Sequence, residues 1–316
     1  MMINIEFITG LVFFLFGMSV IETGFGNLSE KRLSAKIESV GKNPIKGVLL
    51  GTAITAVLQS SSAVTVMLVG AVDAGIIKLK NSLGIIMGAN IGTSVTAWII
   101  SLSGIKLSFF NIINPINLYP ILGLAGIGFI ILSKNINRYS IGMIMVGFTL
   151  IMSGMGSMSS AVEPLKNNEK FIGFLTGFNS PLLGIISGAA VTAVMQSSSA
   201  SIGILQALSG TGSVTLNAAI PIILGQNIGT CITAGIAAVG AGKNAKRVAA
   251  FHLLFNVSGA VIWTVVFYLI RGFLPYCTVE AGDIALIHTL FNVTSTGIML
   301  PIIQLTKIKS SFFIEA

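Results

Sequence analysis

The strongest constraint on this chain is an internal duplication. Adding 137 to a residue number in the first half gives its counterpart in the second. Gly10 pairs with Gly147, Gly17-Met18 with Gly154-Met155, Pro44 with Pro181 and Gly51 with Gly188. Thr55-Ala56-Val57 returns as Thr192-Ala193-Val194, and the run Gln-Ser-Ser-Ser-Ala at 59–63 returns at 196–200. Asn90-Ile91-Gly92-Thr93 returns as Asn227-Ile228-Gly229-Thr230. Between 51–97 and 188–234, 22 of 47 positions are identical without a gap. A match at fixed spacing means one structural plan used twice.

Composition decides what kind of plan it is. Hydrophobic residues make up 53% of the chain, charged residues 9%, and the mean hydropathy is +0.93. A soluble domain carries about 25% charged residues, so a soluble enzyme is excluded. The net charge of +8 comes from basic residues scattered through short polar gaps, without the patch that nucleic-acid binding needs. Crossing a bilayer takes about 20 apolar residues. Segments 6–25, 82–101, 111–133, 140–158, 218–239, 248–270 and 284–305 meet that length. The first is read as a permanent span, because Asn4 and Glu6 stand where a signal peptide would be basic.

Two further stretches are split. Residues 44–58 and 63–77 flank Gln59-Ser60-Ser61-Ser62, and 181–195 and 200–214 flank Gln196-Ser197-Ser198-Ser199. Each arm is too short to cross, and a polar cluster separates the arms. That pattern predicts a re-entrant helical hairpin, whose non-helical turn is tolerated at depth only where it is buried or lines a cavity. The expected fold is an all-α polytopic membrane protein with two inverted-topology repeats, 1–137 and 138–275. Each repeat has three spans and one hairpin, and 276–316 supplies a final span and short tail. No separate soluble domain is expected.

An odd number of crossings per repeat inverts the second copy, and inverted repeats with interrupted segments point to a secondary transporter. Of the 18 Lys and Arg residues, Lys106, Lys166, Lys170 and Arg271 fall on one side and the other 14 on the opposite side. The basic side is expected to be cytoplasmic. This predicts an inner-membrane protein with its N-terminus outside and its C-terminus inside.

The chemistry follows from the turns. A helix that starts within the membrane offers free N–H groups and the positive end of its dipole, and serine is a preferred N-cap. Such a place suits an oxyanion. Between 47 and 72, 82 and 105, and 171 and 242 there is no charged residue or histidine. A bound anion there is compensated only by dipoles, hydroxyls and amides, which is costly. A co-bound hard cation such as Na+ lowers that cost, with oxygen ligands from Gln59, Ser60, Asn90, Thr93 and their counterparts Gln196, Ser197, Asn227 and Thr230. Ser61, Ser62, Ser198 and Ser199 are the expected anion-binding residues.

The duplicated Gln-Ser-Ser-Ser, each followed by Asn-Ile-Gly-Thr, resembles the bacterial sodium-dependent phosphate cotransporters related to the type II sodium–phosphate cotransporters of animals. Phe14–Met18, Asn43–Gly47, Gly88–Thr93 and His252–Asn256 extend the resemblance over roughly 6–305. It implies inorganic phosphate as substrate and Na+ as coupling ion, with both serine motifs at the binding region and no organic cofactor. The expected function is a Na+-coupled phosphate symporter working by alternating access in the lipid bilayer. The alternatives are another oxyanion, phosphate export and a passive anion channel. A homodimer is left open.

Several residues fall outside this scheme. His252 and His288 share the pattern His-x-Leu-Phe-Asn, read either as a proton relay or, preferably, as His and Asn tying neighbouring spans together. Asp73 is expected at an interface. Residues 26–46 are expected to form a solvated or interfacial helix, and Glu22 is expected to cap the first span or pair with a base. Cys231 and Cys277 are expected to be packing residues without metal-ligand spacing. At Gln226 the second repeat departs from Ala89 of the first, which would make the two cation environments unequal.

Overall fold

The computed structural model describes residues 5–29, 43–102, 115–162, 180–270, 272 and 277–305. Twelve helices are present among them: α1 (Ile5–Ser29), α2 (Pro44–Leu58), α3 (Ser61–Asp73), α4 (Leu79–Ser101), α5 (Pro115–Leu132), α6 (Ile136–Val162), α7 (Pro181–Met195), α8 (Ser198–Ser209), α9 (Leu216–Gly229), α10 (Cys231–Ala237), α11 (Lys243–Ile270) and α12 (Ala281–Leu305). No strand occurs among the described residues; a lone bridge joins Thr215 to Thr278.

Among the described residues, five helical stretches are long and apolar enough to cross a membrane: Leu79–Ser101, Ile136–Met158, Leu216–Ala237 (α9 and α10 together), Lys243–Ile270 and Ala281–Gln304. The other two expected spans fall on α1 and α5, whose described apolar runs are shorter, Ile5–Ile21 and Tyr119–Leu132. Of the expected helix at 26–46, residues 30–42 lie outside what is described, as does the side chain of Glu22. The outward surface agrees with a lipid environment. On α11, Leu253, Val257, Val261, Val265 and Leu269 are all exposed at one-turn spacing, a stripe that water would penalise and lipid tails would not. The protein is a multi-pass membrane protein built of helices.

The repeat is visible in the packing. Helices α2 and α7 begin and end on residues 137 apart, Pro44 and Leu58 against Pro181 and Met195. Proline at the first helical position lacks only an N–H that would be unpaired there anyway. Each of these helices packs parallel to the helix after its hairpin, α2 on α4 and α7 on α9. The halves meet where α1 crosses α6. A Cβ on Gly10 would lie 2.7 Å from the Gly154 carbonyl oxygen, and one on Gly17 would lie 2.7 Å from that of Gly147. Glycine is needed there because the two backbones touch. Increasing number on α1 meets decreasing number on α6, so the helices run antiparallel. The 137-residue offset also exchanges one contact for the other, as a twofold axis between halves would.

Buried apolar side chains cluster in three places: between α3, α4 and α11, between α8, α9, α11 and α12, and between α1, α6 and α8. The second arms of both hairpins are therefore held on several sides. This fixes the turns that precede them.

Candidate functional site

Each first arm ends on glutamine in the left-handed conformation, Gln59 at φ 57° and ψ 18° and Gln196 at φ 54° and ψ 20°. They are the two non-glycine residues with positive φ among those described. Such a backbone costs an ordinary side chain about 1–2 kcal/mol. It is held by a hydrogen bond from the Gln59 N–H to the Thr55 carbonyl and from the Gln196 N–H to the Thr192 carbonyl, 2.7 Å each. The Gln59 side-chain amide also donates to the Ala56 carbonyl.

The next residue in each half is extended and caps the second arm. The Ser60 hydroxyl accepts from the Ala63 N–H and the Ser197 hydroxyl from the Ala200 N–H, both at 3.2 Å. Helices α3 and α8 thus start two residues earlier than the arms read from hydropathy at 63 and 200, because the capping serine places its followers inside the helix. Ser61, Ser62, Ser198 and Ser199 carry first-turn N–H groups that have no partner within their own helix.

The two turns face one another across a cavity of about 120 Å³, lined by Gln59, Ser60, Ser61, Ser62, Gln196, Ser197, Ser198 and Ser199. The Ser62 hydroxyl donates to the Gln196 carbonyl at 3.3 Å, a direct link between the halves. Gln59, Ser61, Ser198 and Ser199 are buried. Among the described residues no lining residue is charged or titratable near neutral pH, and the groups that face the cavity are two helix N-termini, hydroxyls and amides. Two positive dipole ends pointing at one small polar space suit an anion.

The other four sequence-predicted residues stand behind the turns and do not line this cavity. Asn90 and Asn227 are buried and donate to the Ile86 and Ile223 carbonyls at 2.9 Å. This uses the amide nitrogen and not the carbonyl oxygen. The Thr93 and Thr230 hydroxyls bond back to the Ala89 and Gln226 carbonyls at 3.1 and 2.9 Å. Between these helices and the first arms sit two residues that sequence reading passed over. Thr55 packs on Gly92 and Thr192 on Gly229. Both threonines are fully buried, and their hydroxyls have no hydrogen-bond partner among the described residues. Their repetition at the 137-residue offset was the available signal.

Gln226 donates to the Ser201 carbonyl at 3.0 Å while its own carbonyl oxygen has no partner among the described residues. Ala89 offers nothing comparable. Cys231 is buried, whereas Cys277 is exposed and engages through its backbone carbonyl, which accepts from the Leu216 N–H at 3.0 Å. Cys277 is therefore not a packing residue, because it lies in a segment between helices.

Comparison with known proteins agrees with the duplicated site. The family model described as Na+/Pi-cotransporter matches twice, over residues 13–160 and 153–273. The uncharacterized protein YqeW of Bacillus subtilis is 30% identical over 317 residues, covering 96% of each chain. A protein of Escherichia coli named as a candidate inorganic phosphate exporter, YjbB, is 24% identical over 96% of this chain and 54% of its own. The sodium-dependent phosphate transport protein 2A of Oryctolagus cuniculus is 24% identical over 81% of this chain and 59% of its own. This chain thus spans little more than half the length of the last two. No solved structure matches. Two matches to one family model, one in each half, together with a full-length relative at 30% identity, show that the chain belongs to the Na+/Pi-cotransporter family.

Proposed function

We propose that the chain is a Na+-coupled inorganic phosphate symporter that works by alternating access. The observation that carries this reading is the cavity between the hairpin turns, lined among the described residues by the two Gln-Ser-Ser-Ser motifs. Phosphate sits there, taking hydrogen bonds from the N–H and hydroxyl groups of Ser61, Ser62, Ser198 and Ser199. Each of those helix ends contributes a partial positive charge of roughly +0.5, and Na+ supplies the rest. Its oxygen ligands come from Gln59, Ser60, Gln196 and Ser197 at the turns and from Asn90, Thr93, Asn227 and Thr230 behind them.

The antiparallel crossing of α1 and α6 supports inverted repeats, with the hairpins re-entrant and their turns near the midplane. The halves then expose the cavity to each side in turn. The N-terminus lies outside the inner membrane and the C-terminus in the cytoplasm, an orientation that the basic asymmetry supports. A second reading, net phosphate export, is favoured by the similarity to the Escherichia coli protein. Export and uptake use the same site and differ in the gradients that drive them. Purified protein in liposomes, given labelled phosphate and a Na+, K+ or H+ gradient in turn, tests the proposal. Uptake that follows the Na+ gradient is expected; uptake indifferent to all three gradients contradicts coupling and leaves a passive channel.

A further inference from the structure

Ser94 and Cys231 are counterparts at the 137-residue offset, and each directly follows Asn-Ile-Gly-Thr. Neither lines the cavity. Each is gripped by one of the two His-x-x-x-Asn boxes. The Ser94 hydroxyl lies 3.0 Å from His288 Nδ1 and 3.4 Å from Asn292 Nδ2. Cys231 Sγ lies 3.3 Å from Asn256 Nδ2 and 3.5 Å from the His252 carbonyl oxygen. All six residues are buried. Each Asn is braced by its own helix, Asn256 on the His252 carbonyl at 2.9 Å and Asn292 on the His288 carbonyl at 3.0 Å. The boxes are 36 residues apart, not 137. Two non-equivalent helices therefore bring the same sequence box to equivalent places in the repeats, His288 through its ring and His252 through its backbone carbonyl.

The N-terminal ends of these two helices are tied elsewhere. Ahead of α11, the Gly242 N–H donates to Asp73 Oδ1 at 2.7 Å, at the base of the first hairpin. Ahead of α12, the Val279 N–H donates to the Val214 carbonyl at 2.9 Å, at the base of the second. So α11 joins the first hairpin to the second Asn-Ile-Gly-Thr segment through Cys231, and α12 joins the second hairpin to the first segment through Ser94.

Resting on the transport reading above, we propose that His288, Asn292 and Asn256 are positioning residues, with the backbone carbonyl of His252 completing the second grip. They set the rotation of the two Asn-Ile-Gly-Thr segments against the hairpin turns. Ser94 follows Asn90 by four residues within α4, and Cys231 follows Asn227 by four across the α9–α10 junction, where Thr230 keeps a right-handed helical backbone, so each gripped residue sits about one turn beyond the amide on the same face. Holding it fixes where that amide points. The grips are unequal. A hydroxyl bonds a ring nitrogen well, whereas the Cys231 thiol is a weak partner; His288 Nδ1 meets Ser94, while His252 Nδ1 has no partner among the described residues, and the Oδ1 atoms of Asn256 and Asn292 are alike in lacking one. The first-half grip is the stronger one.

The test compares His288→Ala, Ser94→Ala, their double variant and His288→Asn in liposomes. The amide of His288→Asn reaches about as far as Nδ1. The Na+ concentration for half-maximal phosphate uptake should rise about 5- to 30-fold in each single Ala variant. It should rise no further in the double variant, because both remove one interaction, and it should return toward wild type in His288→Asn. A purely structural role would lower the yield and maximal rate and leave the Na+ dependence unmoved; that result overturns the proposal. Ser94→Ala removes only a hydroxyl and keeps the test open where His288→Ala does not fold. Melting temperatures in NaCl against KCl, which need no transport, separate this inference from the functional one. A Na+-specific shift in wild type that is lost in Ser94→Ala supports the grip even without uptake. No such shift in wild type, or the same shift in every variant, overturns it.

Discussion

Two glutamines hold a backbone shape that chains ordinarily give to glycine, and that cost marks them as chosen for their side chains. Gln196→Gly removes the strain of about 1–2 kcal/mol but loosens the unfolded chain by roughly 0.5–1 kcal/mol. Thermal melting of this variant should therefore stay near wild type while phosphate uptake is lost. Full uptake by Gln196→Gly would take that side chain out of the site. A second comparison separates anion from cation ligands. Asn227→Ala should raise the Na+ requirement, with phosphate affinity recovered at saturating Na+. Ser199→Ala should keep weak phosphate affinity at any Na+ concentration, with each loss about 1–3 kcal/mol. A two-dimensional titration of uptake against both ions reads the difference, and a wild-type Na+ dependence in Asn227→Ala contradicts the division. At this scale the serines and glutamines that line the cavity stood out in the sequence, because three serines after glutamine, twice, are not what packing alone calls for. The left-handed glutamines were not, since their side chains carry no sign of backbone shape. Nor were Thr55 and Thr192, whose importance lies in the glycines opposite them.

The first hairpin arms were readable to the residue, because Pro44 and Pro181 open them and the polar motif closes them. The second arms were displaced, because hydropathy sees the first apolar residue while the helix begins at the serine cap. Spacing also could not tell which face of α4 or α9 meets the cavity, and so it left open whether Asn90 and Asn227 line it. Contacts between distant helices leave no local trace. The pattern His-x-Leu-Phe-Asn stood out in the sequence, but its grip on Ser94 bridges 194 residues. The α1–α6 crossing makes its own prediction. Gly17→Leu forces a side chain against the Gly147 backbone, and overpacking of this kind costs about 1–3 kcal/mol. Its melting temperature in detergent should fall well below that of Gly128→Leu, where a Cβ meets nothing within 4 Å. Equal melting of the two variants would mean that the crossing is not tight.

For the whole molecule, the duplication and the scarcity of charge together were enough to foresee a helical membrane protein with two related halves. Its orientation is testable on the native chain. Cys277 is exposed and Cys231 buried, and the segment before α12 is expected outside. An impermeant maleimide applied to spheroplasts of the producing cell should label one thiol, Cys277, and Cys277→Ser should abolish the labelling. Labelling only after the membrane is opened would reverse the orientation. The central claim is that the two hairpin turns form a single site for phosphate with Na+. It is tested most directly by introducing Ser60→Cys or Ser197→Cys into a Cys231→Ser, Cys277→Ser background and following reaction with a small hydrophilic thiol reagent. Phosphate together with Na+ should slow labelling at both positions, and phosphate with K+ should slow neither. Equal labelling with and without phosphate and Na+, or protection of one turn alone, would contradict the account.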